Sequence, residues 1–278
     1  MPRDSVAHTF KVAVLLCVLC SVLVSGAAVS LREPQRVNKE RARKSNILAA
    51  AGLANEAERL GVETAFARRI TERLVDLETG RYATDQDVAA YDQQRAVRDP
   101  DQSDIVAAED DLARIRRRER YSLVYLVKDD DGQTAQIVLP VRGYGLWSTL
   151  WGFIALDARA ISLGPADIAV SGLNFYAHSE TPGLGGEVDN PRWQDKWRED
   201  KRVYDDQWNV RLRVMKGEVA TNDPQAAYKV DGLSGATLTS NGVTNMIAYW
   251  FGEQGFRPFL QNVYRQPEML AAEGGGNG

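Results

Sequence analysis

At 278 residues, with 44% hydrophobic and 26% charged residues, the chain has material for one large or two small packed domains and is not a disordered polypeptide. A net charge of −4 offers no strongly basic face, which sets nucleic-acid partners aside. Two histidines, His8 and His178, and two cysteines, Cys17 and Cys20, are too few and too scattered to build a zinc or iron–sulfur site in a soluble domain, so redox chemistry here needs an organic cofactor or other subunits.

From Val12 to Leu31 no residue carries a charge, and Lys11 and Arg32 flank the run. That length of apolar helix crosses a bilayer's hydrocarbon core, so 12–31 is read as a transmembrane helix. A cleaved signal peptide is the rival, since Ser25-Gly26-Ala27-Ala28 is small enough for a cleavage site, but the apolar run is longer than a usual signal core. Cys17 and Cys20, one turn apart inside lipid, are set for packing and not for thiol exchange. The basic cluster that follows, Arg32, Arg36, Lys39, Arg41, Arg43 and Lys44, would by charge counting keep the C-terminal part in the cytoplasm.

A helix is expected between Val37 and Leu60, with Ile47, Leu48, Ala51 and Leu53 apolar and Gly52 or Gly61 as stops. A second is expected from Thr64 to Gly80, with Phe66, Ile70, Leu74 and Leu77 on one face. Tyr82 to Ser103 is polar and acidic and reads as a weakly structured connection. Ile105 to Arg120 reads as a charged surface helix ending in five arginines. Strand patterning then begins: Tyr121–Val127 and Gln136–Val141, joined by Lys128-Asp129-Asp130-Asp131-Gly132, predict a β-hairpin whose aspartates form a turn and not a cation site. Phe153–Leu156 and Ile168–Tyr176 add strands. Asn190–Arg198 predicts a short helix packing Trp193 and Trp197, and Val210–Val219 alternates as a strand with Val210, Leu212 and Val214 on one side.

Two small-residue loops punctuate this pattern. Glu180-Thr181-Pro182-Gly183-Leu184-Gly185-Gly186-Glu187 lets backbone approach a flat ligand closely. Asp231-Gly232-Leu233-Ser234-Gly235-Ala236-Thr237-Leu238-Thr239-Ser240 offers hydroxyls and amides to a phosphate, and the spacing of Val243, Met246, Ile247, Trp250 and Phe251 predicts a helix starting near Ser240 or Asn241. On residue types alone a plain helix cap is the commoner reading of this second loop.

The segment Asp231-Gly232-Leu233-Ser234-Gly235-Ala236-Thr237 resembles the complete flavinylation motif, Asp-x-x-Ser/Thr-Gly-Ala-Thr, of the FMN-binding domain family. More widely, the apolar span, Arg73–Asp76, Val124–Lys128, Gly143-Tyr144-Gly145-Leu146-Trp147-Ser148 and both loops are similar to the C-subunit family of Na⁺-translocating NADH:quinone reductases, over nearly the whole chain. The resemblance implies an α+β protein: one N-terminal transmembrane helix, then a soluble FMN-binding domain with a mainly antiparallel sheet flanked by helices. Its expected division is a cytoplasmic N-terminus over 1–11, the span over 12–31, a helical juxtamembrane part over 32–120, the FMN-binding domain over 121–265 and a flexible tail over 266–278.

It further implies one covalent FMN per chain, esterified to Thr237 by a separate flavin transferase that uses FAD and reads Asp231. Ser234, Gly235, Ala236 and Thr239 would surround the phosphate and ribityl chain, and Leu146, Trp147, Thr181, Gly183, Leu184 and Gly185 would line the ring. The protein would carry electrons in a six-subunit inner-membrane complex that oxidises NADH elsewhere, reduces quinone and pumps sodium, with no catalytic residue or metal of its own. Against charge counting, the resemblance puts the soluble domain in the periplasm. Two alternatives stand beside it: the paralogous flavin subunit of an Rnf-type ferredoxin:NAD⁺ reductase, which the insert before Tyr121 fits less well, and a non-redox, membrane-anchored binding module.

Overall fold

The computed structural model describes residues 6–271. They fall into two units divided after Lys44. The first holds most of helix α1 (Val6–Ala50), whose apolar window has a mean hydropathy of 2.7 and is wholly exposed, as a helix built to be surrounded by lipid would be. Among the described residues it is the one helix long and apolar enough to span a membrane. Of the expected N-terminal segment 1–11, residues 1–5 lie outside the described residues, and the helix is already under way at Val6.

In the second unit, α2 (Ala54–Leu60) and α3 (Val62–Arg69) lead into β1 (Ile70–Asp76) and β2 (Arg81–Tyr82). After α4 (Gln93–Ala96) come β3 (Ser103–Ile105) and β4 (Arg117–Glu119), a small antiparallel ladder of their own. The hairpin β5 (Tyr121–Lys128) and β6 (Thr134–Tyr144) is followed by β7 (Thr149–Asp157), α5 (Ala158–Ile161) and β8 (Val170–Ala177). These build one six-stranded sheet in the order β2-β1-β5-β6-β7-β8, antiparallel throughout.

Both faces of the sheet are covered, which is why β5 reads as a continuous apolar run with six consecutive buried residues and not as an alternating one. One face packs on Ile47, Leu48, Ala57 and Phe66 from the end of α1, α2 and α3. The other packs on α7 (Thr237–Trp250) and α8 (Arg257–Arg265), through Val243, Met246, Ile247, Trp250, Phe259 and Leu260. Each such fully buried side chain contributes roughly 1.5–3 kcal/mol. Between β8 and α7 run α6 (Pro191–Asp195) and two short parallel strands, β9 (Arg213–Val214) and β10 (Lys229–Val230).

Four elements differ from their sequence patterns. The helix expected from Thr64 to Gly80 ends at Arg69, and Ile70–Asp76 is a strand in full register with β5, from Ile70 opposite Val127 to Asp76 opposite Tyr121. The three-to-four spacing of Phe66, Ile70, Leu74 and Leu77 imitates a helix, but pairing with a buried strand outweighs it. The helix expected over Ile105–Arg120 is a turn-rich strap closed by β3 and β4. Asp111 accepts from the amides of Ile115 at 2.8 Å and Arg116 at 2.7 Å, offering the backbone an alternative to helix, and Arg114 and Arg116 sit at φ 53° and 63°. The part expected to be helical over 32–120 is therefore helical as far as Arg69 and, beyond it, only in the single turn of α4.

The strand expected over Val210–Val219 shrinks to Arg213–Val214, although Leu212 and Val214 are buried as the alternation predicts, because β10 offers only a two-residue partner. Of the flexible tail expected over 266–278, Pro267–Leu270 is a 3-10 turn tied down by Tyr82 Oη donating to Met269 O (3.0 Å) and Thr134 Oγ1 to Leu270 O (2.6 Å); residues 272–278 lie outside the described residues.

Candidate flavin site

The two small-residue loops and the β6–β7 turn converge at one end of the sheet. Glycines set the approach. A Cβ on Gly242 of α7 would lie 2.5 Å from Tyr144 O and 3.0 Å from Gly145 Cα, so the turn rests on bare helix backbone. Gly235, at φ +70°, turns the chain into α7 and would meet Leu184 of the other loop at 2.9 Å if it bore a Cβ.

Helix α7 begins at Thr237, three residues before the expected Ser240. Ser240 cannot act as its cap because its Oγ turns back to accept from Leu233 N at 3.1 Å, and this bond closes the 233–240 loop. Ala236 occupies the N-cap position and no side chain caps the helix, so the positive end of the helix is left to whatever ligand meets it. Thr237 is exposed in this first turn, as are Ser234 and Gly235, while Ala236 is buried beneath them.

Thr239 lies on the opposite side of the turn. It is fully buried, and its hydroxyl donates to Glu180 Oε2 at 2.8 Å. Glu180 Oε1 accepts from the amides of Leu146 at 3.1 Å, Trp147 at 2.9 Å and Ser148 at 3.1 Å. Burial acts to raise the pKa of this carboxyl, but the amide and hydroxyl donors outweigh burial and hold it below the usual carboxylate range. Gly145 and Gly185 make room for it: a Cβ on either would lie 2.7 Å from a carboxylate oxygen.

Asp231 is also tied inward. Its carboxylate pairs with Lys196 and accepts from Val219 N at 2.7 Å, and its carbonyl accepts from Trp193 Nε1 at 2.8 Å. Burial again acts to raise its pKa, and Lys196 and the Val219 amide together lower it below the ordinary aspartate value. Trp193 stacks edge-on against Trp197 in the core, so the short helix expected to pack two tryptophans also holds the start of the attachment loop.

The surface above these anchors is apolar. Leu146 (37% exposed), Trp147 (66%), Leu184 (43%) and Leu238 (59%) stand around the exposed Thr237 turn, a concentration of exposed large side chains that a monomer's surface does not usually carry without a ligand or partner. Thr181 and Gly183 are exposed on the same loop, where Thr181 O accepts from Leu184 N and Gly186 N, and Gly185 is buried against Glu180. Every residue expected at the site is thus in one of the converging loops. Thr239 and Asp231 face inward, and Gly185 and Ala236 form the floor. Glu180 and Lys196, absent from the expected set, are the residues that hold the loops; Glu180 opens the Thr-Pro-Gly run, whereas nothing in the sequence marks Lys196.

Residues 145–252 match the family model described as FMN-binding domain, a span that begins at the turn beside Leu146 and ends just past α7. The C subunit of the Na(+)-translocating NADH-quinone reductase of Pseudomonas aeruginosa is 45% identical over 262 residues, covering 94% of this chain and 97% of that protein. Its counterpart in Yersinia pestis is 45% identical over 264 residues, 94% of each chain. The chain belongs to this C-subunit family. The crystal structure of Shewanella oneidensis NqrC superposes with a TM-score of 0.71 at 30% identity, covering 82% of this chain and all of that one. The family's fold, an apolar N-terminal helix followed by a mostly antiparallel sheet with helices, is the fold described above, and of the two redox complexes weighed from the sequence it is the quinone reductase whose subunits this chain matches.

Proposed function

We propose that the chain holds FMN covalently, through a phosphoester to Thr237, and passes electrons between redox centres of partner subunits in a sodium-pumping NADH:quinone reductase. The observation that carries this reading is the exposed Thr237 in the uncapped first turn of α7, set among exposed apolar side chains within an FMN-binding domain. FMN, when bound, supplies one- and two-electron exchange. The chain's own residues bind and orient: the first-turn amides of α7 and Ser234 face a phosphate, and Leu146, Trp147 and Leu184 offer apolar surface to a flat ring. Thr239 is engaged by Glu180 and supports the turn from beneath. Thr237 Oγ1 is the ester oxygen. Its hydroxyl is unreactive unassisted, so a flavin transferase must act, with FAD as donor, FMN as the group transferred and AMP as the leaving group. Asp231, clamped by Lys196, gives that enzyme a loop of fixed shape.

We further propose that the chain is a single-pass protein of the bacterial inner membrane, in contact with lipid and the other subunits, with its soluble domain in the periplasm; the long exposed apolar helix supports the anchoring. Thr237→Val keeps the side chain's shape and removes its hydroxyl. In the assembled complex it is expected to abolish NADH-dependent quinone reduction while leaving assembly intact; retained quinone reduction would refute the role given to Thr237.

A further inference from the structure

Three glutamates are buried among the described residues. Glu56 pairs with Arg69 and Glu119 with Arg142. Glu180, 5% exposed, has no ion-pair partner among the described residues, and its charge is met only by hydrogen-bond donors. A buried carboxylate without a counter-charge is costly, and a hydrophobic or amide side chain would fill the space at less expense. The geometry accounts for its presence. Oε1 gathers three consecutive amides of the β6–β7 turn, and Oε2 takes the hydroxyl of Thr239 two residues past Thr237. An amide side chain has one acceptor oxygen and would set its own N–H donors against the remaining donors, so it cannot reproduce this clasp.

Resting on the flavin reading above, we propose that Glu180 is the positioning residue of the flavin site: its carboxylate fixes the turn bearing Leu146 and Trp147 to the first turn of α7 bearing Thr237, and lays one uncompensated negative charge at the site. Fixing the two turns determines how closely the apolar side chains can hold the ring relative to the attachment point. The charge disfavours electron uptake by a nearby flavin, whose reduction adds negative charge to the ring or draws in protons to offset it.

The test uses the full-length chain produced with its flavin transferase, as wild type and as Glu180→Gln. The variant is expected to carry flavin on the Thr237 peptide, to show higher flavin fluorescence from a less confined ring, and to have a more positive midpoint potential. The potential offset is expected to be constant across about pH 6 to 8, where a carboxylate of lowered pKa does not titrate. A flavinylated E180Q with wild-type fluorescence and potential would overturn the inference while leaving the flavin reading intact. Wild-type chain without flavin on that peptide would overturn both. If E180Q does not fold, Thr239→Val, which removes one donor and keeps the charge, must still raise flavin fluorescence, and an unchanged signal there overturns the inference.

Discussion

At the scale of single residues, the site separates side chains that face a ligand from side chains that shape the loop. Thr237 and Ser234 are exposed, and Thr239, Asp231 and Glu180 are turned inward with every carboxylate oxygen engaged. Asp231 is therefore a lock on the attachment loop. Because its folded pKa is depressed, its stabilisation is complete above the unfolded aspartate value of about 3.9 and is lost as pH falls through the lower folded value. With Lys196 39% exposed the bond is partly screened, and the contribution is about 1 kcal/mol. Asp231→Asn should lower the melting temperature at neutral pH, and acidification below about pH 4 should cost the variant less further stability than it costs wild type. Thermal melts at the two pH values decide this; equal losses on acidification in both proteins would show that the Asp231 charge contributes nothing.

At the scale of elements, legibility in the sequence depends on whether a pattern has one physical cause. The β5–β6 hairpin is legible because β-branched and aromatic runs flank an aspartate-glycine turn, and Gly132 indeed sits at φ +79°. Ile70–Asp76 misleads because its apolar spacing suits a helix, and only the presence of β5 beside it decides for a strand. The strap over 106–116 misleads because its alanines, arginines and Glu109 favour a helix in isolation, whereas Asp111 binds the backbone amides just ahead of it and the buried Arg142–Glu119 pair beneath is a tertiary fact. At the site, the flavinylation motif marks the attachment loop from residues alone. The clasp at Glu180 and the clamp at Lys196 join positions 34 and 35 residues from their partners, distances at which no local pattern speaks.

For the whole molecule, one long apolar helix precedes a two-faced sheet whose end carries the candidate flavin site, and the side of the membrane on which that end lies fixes which proteins of the complex can exchange electrons with it. The basic cluster after Leu31 favours the cytoplasm, but long domains cross despite such charges. An alkaline phosphatase fused after Leu260 should be active if the domain is periplasmic, and an inactive but stable fusion would place the site on the cytoplasmic side. The central claim, covalent flavin on Thr237, is tested most directly by the mass of one peptide. Trypsin should release Val230–Arg265 as a unit, since Pro258 blocks cleavage after Arg257. From chain made with its flavin transferase, that peptide should carry the mass of one FMN phosphoester, with fragmentation locating it on Thr237; an unmodified peptide, or FMN on any other residue, would contradict the account.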